Sequence, residues 1–138
     1  MIESTKIEYR YRRISHIDDI TDLVAMLFPG NRNQQHAAAR ILLALKAAKH
    51  PAARLGHLEA DHEISRRTLE RSRAKLARLG LIEHVSWMNH RYGGQNGWKL
   101  SSRMSSALRL FAEKIDTWRS DTRPERREKD ERLVGVLA

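Results

Sequence analysis

One stretch constrains this chain more than any other: Ile64 to Ile82, Ile-Ser-Arg-Arg-Thr-Leu-Glu-Arg-Ser-Arg-Ala-Lys-Leu-Ala-Arg-Leu-Gly-Leu-Ile. Ser65 can accept a hydrogen bond from a backbone N–H one turn on, and so starts a helix. Gly80 can take the left-handed conformation that ends one. At about 100° per residue, Leu69, Ser72, Leu76 and Leu79 share one stripe, which must face a core. The opposite side carries Arg67, Arg71, Arg78 and the small Ala74. Residues 64–78 hold six Lys or Arg against one Glu, a net of +5 out of +9 for the whole chain. Glu70 is read as a helical partner of Arg66, Arg73 or a neighbouring residue, with acceptance from a cytosine amino group as the alternative. A helix with one apolar stripe and one strongly cationic side calls for a body on one side and a polyanion on the other.

The rest of the chain supplies that body. At 138 residues it is long enough for one domain with a real core. Apolar content of 41% and charged content of 31% fit a soluble protein with a highly charged surface. There is no cysteine, which removes disulfides, thiolate–zinc sites and thiol nucleophiles together. No apolar run approaches the roughly 20 residues of a membrane span, and the N-terminus has no signal-peptide core, so a cytoplasmic protein without membrane attachment is expected.

Residues 1–16 form a basic N-terminal arm or, since Ile7, Tyr9 and Tyr11 alternate with Glu8, Arg10 and Arg12, a short strand; both readings are open. A helix from Ile17 to Phe28 is expected, with Ser15 as its cap, and a second from Gln34 to Lys49, capped by Asn31 or Asn33. A third short helix fits Arg54 to His62, so residues 54–79 read as two helices joined by a tight turn that lacks the usual glycine. Residues 81–101 then turn to β-formers around a Gly-rich tip, a hairpin that should lean on the helices through Val85, Trp87, Trp98 and Leu100. A helix follows over 102–118, in which Met104, Leu108, Phe111, Ile115 and Trp118 recur at alternating spacings of four and three. Residues 121–138 are a charged C-terminal helix and tail, with five basic and five acidic side chains arranged largely as i,i+4 pairs.

Leu58, the run Ile64-Ser65-Arg66-Arg67-Thr68-Leu69, the run Leu79-Gly80-Leu81-Ile82-Glu83 and the hairpin ending Trp98-Lys99-Leu100-Ser101 occur here in one order. In that order they resemble winged helix-turn-helix DNA-binding domains. The resemblance covers about residues 34–101 and implies a mainly α fold with a small β-hairpin, a winged domain over 17–120 with flanking N- and C-terminal helices. The helices on either side resemble, more loosely, regulators of the multiple-antibiotic-resistance type, whose terminal helices form a dimer. The tip Asn89-His90-Arg91-Tyr92-Gly93-Gly94 departs from the Asp/Arg-bearing wing of those regulators, so their effector sensing is not carried over.

The expected function is therefore sequence-specific binding of double-stranded DNA by a homodimeric transcriptional regulator. Arg67, Arg71 and Thr68 are assigned to base edges in the major groove. Arg66, Lys75 and Arg78 are assigned to phosphates, Ser65 to the helix start at the backbone, and His90, Arg91 and Tyr92 of the wing to the backbone or minor groove. Met104, Leu108, Phe111, Ile115 and Trp118 are assigned to the dimer interface. The same letters also suit a replication, partition or mobile-element protein of this fold, or an adaptor for an acidic protein. No nucleophile elbow, paired carboxylates or metal-ligand spacing stands out among the seven His and the acids, so no enzyme activity, metal, cofactor or small-molecule effector is expected.

Overall fold

The computed structural model describes residues 5–86 and 96–138. The chain divides into two compact units, Met1–Met104 and Ser105–Ala138.

The first unit opens with a helical turn, α1 (Tyr11–Ser15), where the sequence suggested an arm or a strand. Alternation over a few residues was too short to impose an extended ladder, and the segment instead follows the body: Ile7 packs against the core and the Glu8 N–H donates to the Met26 carbonyl at 2.8 Å. Ser15 does not cap the next helix. Its hydroxyl donates to the Arg12 carbonyl at 2.9 Å, closing α1. The cap is Asp19, whose Oδ1 accepts from the N–H groups of Thr21 at 2.8 Å and Asp22 at 3.1 Å, so α2 spans Ile20–Leu27. A carboxylate fits this position better than a hydroxyl because it also meets the positive end of the helix dipole.

Asn31 caps α3 (Arg32–Ala47), its side chain accepting from the Gln34 N–H at 3.0 Å. Ala37, Ala38, Ile41, Leu42 and Leu45 of α3 are buried, and the two alanines let neighbouring backbone approach. Helix α4 is shorter than expected, His57–Asp61 rather than 54–62, and buries Leu58. Three residues later α5 (Arg66–Leu79) begins at its Ser65 cap, which accepts from the Thr68 N–H at 3.1 Å. The turn between α4 and α5 has no glycine; Glu63 takes the left-handed conformation there instead, with φ 53°. Gly80 ends α5 with φ 89°, and the N–H groups of Leu81 and Gly80 close back on the carbonyls of Leu76 and Ala77 at 3.0 and 3.1 Å.

Strands β1 (Ile82–Val85) and β2 (Gly97–Leu100) pair antiparallel, with Ile82 opposite Leu100 and Val85 opposite Gly97. A third piece of β-structure went unforeseen. Ala52, in the loop between α3 and α4, exchanges two backbone hydrogen bonds of 2.8 Å each with Trp98 of β2. Gly97 makes this approach possible, since a Cβ there would lie 2.5 Å from the carbonyl carbon and oxygen of Ala52. The order helix, bridging residue, two-helix turn, hairpin, with further helices at both ends, is mainly helical with a small antiparallel hairpin and is compatible with a winged helix-turn-helix. Leu27, Phe28, Ile41, Leu55, Leu76 and Ile82 are fully buried at its centre. Each side chain of this size contributes about 1.5–3 kcal/mol on burial.

The second unit holds helix α6 (Arg103–Ser120) from Ser105 onward and α7 (Pro124–Gly135). Residues 105–138 contain no buried side chain. Among the described residues no helix is long and apolar enough to cross a membrane.

Candidate nucleic-acid interface

The inner side of α5 is set by packing against α3. Leu69 and Leu76 enter the core, and between them the buried Ser72 hydroxyl donates to the Gln34 carbonyl at 3.3 Å, so the polar position on the stripe is satisfied. With that side fixed, helix geometry decides what faces out. Taking Leu69 as the inward reference, Arg67, Arg71 and Arg78 lie within about 40° of one another on the opposite side, spread along about 16 Å of axis. All three are exposed, and Ala74 between them keeps the surface low. Arg67 makes no hydrogen bond or ion pair among the described residues. Arg66 is exposed too and, of the partners the sequence left open for Glu70, is the one that meets it, at 3.0 Å; an exposed i,i+4 pair of this kind is worth only about 0.3–0.5 kcal/mol. Ser65 and Thr68 are taken up with each other, the Ser65 hydroxyl donating to Thr68 Oγ1 at 2.8 Å while it caps the helix.

Two of the six basic side chains of α5 serve the protein's interior. Lys75 was expected on phosphates, and the structure corrects this. It is 7% exposed, its Nζ donates to the Lys6 carbonyl at 2.6 Å and stands 4.8 Å from the centre of the Phe28 ring. The reason is angular. Lys75 lies beside Leu79 on the flank of the apolar stripe, where its methylenes cover the core and its ammonium finds a carbonyl and an aromatic face. Burial pushes its pKa down, with repulsion from Arg78 adding to the effect. Arg73, on the other flank, places its guanidinium 5.0 Å from the centre of the Trp98 ring, and Trp98 meets His84 edge to face at 5.0 Å. Arg73 thereby ties α5 to the hairpin.

The base of the hairpin is held by a charge cluster. The Glu83 carboxylate accepts from the Ser101 hydroxyl at 2.9 Å and pairs with Lys99 at 3.3 Å and Arg103 at 3.2 Å. The Ser101 hydrogen bond, then those two cations, hold its carboxyl below the ordinary glutamate range against the opposing cost of partial burial. Val85 is buried and Trp98 half-buried, as the hairpin's lean requires, whereas Leu100 remains 39% exposed. Trp87 and the wing-tip residues His90, Arg91 and Tyr92 lie outside the described residues.

Of the assigned interface stripe, Met104 packs against the core of its own unit and is corrected to a core residue. Leu108, Phe111, Ile115 and Trp118 are 48–62% exposed, and so are Leu133, Val134, Val136 and Leu137 at 52–84%. The Trp118 indole donates to Asp130 Oδ2 at 3.0 Å, joining α6 and α7 within their unit. No group of three or more His, Asp or Glu is placed to hold a metal ion among the described residues.

Sequence reasoning missed Ala52, Glu63 and the inward roles of Arg73 and Lys75. The only available signal was the flank position of the last two. Compared with protein-family models, curated proteins and solved structures, the chain matches none of them.

Proposed function

We propose that this chain binds double-stranded DNA with sequence preference, with α5 in the major groove, and acts as a transcriptional regulator in the form of a homodimer. The observation that carries the reading is the exposed line of Arg67, Arg71 and Arg78 along a helix whose opposite side is locked into the core. A rigid cationic helix of this kind matches the width of the groove, and guanidinium groups recognise guanine edges and phosphates. The homodimer is supported by the exposed apolar side chains of residues 108–118 and 133–137. Two-fold proteins of this type bind two half-sites a helical turn apart.

The test is selection of bound fragments from random duplexes, followed by affinity measurements over a range of salt. Arg71→Ala should relax sequence preference at one position and cost about 1–3 kcal/mol on the selected site. Arg78→Ala should weaken all duplexes alike and reduce the salt slope by about one. Two chains per selected duplex are expected by sedimentation. Equal, small effects of both substitutions on every duplex would overturn the assignment.

A further inference from the structure

A second basic surface lies at the start of the chain and shares no residue with those assigned to the groove. Arg10, Arg12, Arg13 and His16 line a cleft of about 410 Å³. Their convergence is produced by the fold. Arg12 and His16 are one turn apart across α1, and the His16 Nδ1–H donates to the Arg12 carbonyl at 2.7 Å, which fixes the ring and leaves Nε2 for another partner. The segment is not on a free tether: Lys75 holds the Lys6 carbonyl, Glu8 is bonded to Met26 and Ile7 packs on the core.

One carboxylate meets the three guanidinium groups of this cleft: Glu8 is bonded to Arg10 and also lies within electrostatic reach of Arg13. Neither Arg12 nor Arg13 makes a side-chain hydrogen bond or ion pair among the described residues, and the Arg13 Nε–H is buried without an acceptor. A buried guanidinium donor without a partner is unfavourable, and a ligand oxygen placed there would complete its hydrogen bonding. Guanidinium groups bind tetrahedral oxyanions in fork geometry, and several around one cleft favour a multiply charged ligand over a single carboxylate.

We infer that the cleft formed by Arg10, Arg12, Arg13 and His16 is a phosphate-group site. The phosphate comes either from a duplex backbone, which would extend the footprint beside α5, or from free phosphate. This site stands on its own geometry and does not require the assignment of α5.

The test uses the full chain. Inorganic phosphate is titrated against sodium chloride of equal ionic strength while the Arg13 Nε–H and His16 ring resonances are followed by NMR. The salt slope of duplex binding is measured in parallel for the wild type, Arg12→Gln and Arg12→Gln/Arg13→Gln; Arg12→Gln alters an exposed side chain and guards against misfolding. Saturable shifts with phosphate, weakened several-fold by Arg12→Gln, support the site with free phosphate as ligand, even if no duplex binds and the α5 assignment fails. A duplex slope lowered by about one in Arg12→Gln supports the backbone source, with or without shifts from inorganic phosphate. The inference is overturned if chloride shifts the resonances as much as phosphate does and the slope is unchanged. It is likewise overturned if the variants bind both ligands as the wild type does, or if neither ligand is bound at this cleft.

Discussion

Helices α5 and α7 are both rich in arginine and use it in opposite ways. In α7 and the residues before it, the charges are spent on neighbours: Asp121 with Arg123, Arg126 with Asp130, Arg127 with Glu131. Residues 121–138 sum to zero. In α5 one glutamate meets six cations, two of the six turn inward, and Arg67, Arg71 and Arg78 are left exposed along one side. The difference teaches that arginine content alone does not mark an interface. What marks it is an exposed arginine row on a helix that is fixed by packing and carries a net positive charge.

The largest expected effect breaks the comparison directly. Reversing two charges on α5, Arg67→Glu with Arg71→Glu, should weaken duplex binding by about 100-fold or more, because two contacts worth about 1–3 kcal/mol each are lost. Reversing Arg126 and Arg127 on α7 should change it by less than about twofold. Fluorescence anisotropy at fixed salt reads both, and similar losses from the two helices would dissolve the distinction. Next in size is the inward lysine. Lys75→Ala should lower unfolding free energy in urea by about 2 kcal/mol through lost packing and a freed carbonyl, while the salt slope of binding stays at the wild-type value. A flatter slope would return Lys75 to the outer surface.

A smaller effect concerns the hairpin base. Because the Glu83 carboxyl titrates below the ordinary value when folded, its stabilisation is fully present above about pH 4.5, the ordinary value, and is lost as the pH falls through the lowered folded one. Ser101→Ala should bring the Glu83 titration, followed by carboxyl NMR, back up toward that value. Smallest of all, Glu63→Gly should raise stability by about 0.5 kcal/mol. It relieves a left-handed conformation costing about 1 kcal/mol and gives back part of that in chain entropy. A loss instead would mean that Glu63 makes a contact worth more than its backbone strain.

What could be read from the letters follows from how local each cause is. Helix α5 begins and ends where Ser65 and Gly80 say, because a cap and a left-handed stop act within one turn. The hairpin strands were legible from their β-branched and aromatic residues. The inside of the helix was legible at Leu69, Ser72 and Leu76, whose angular position leaves no choice. It failed at Lys75, where a charge on the flank can go either way and the outcome depended on a carbonyl 69 positions away. Ala52 pairs as a single residue, and one residue has no period to detect. At α1, three alternating residues carried too little information to outweigh packing of Ile7 against the core.

The pair of backbone bonds between Ala52 and Trp98 has a mechanical consequence. They clamp the return strand of the hairpin to the loop that feeds α4, while Arg73 braces the same tryptophan from α5. A load on the hairpin base is therefore shared by two attachments, one to the loop before α4 and one to α5, and a partner that displaces the hairpin must strain both.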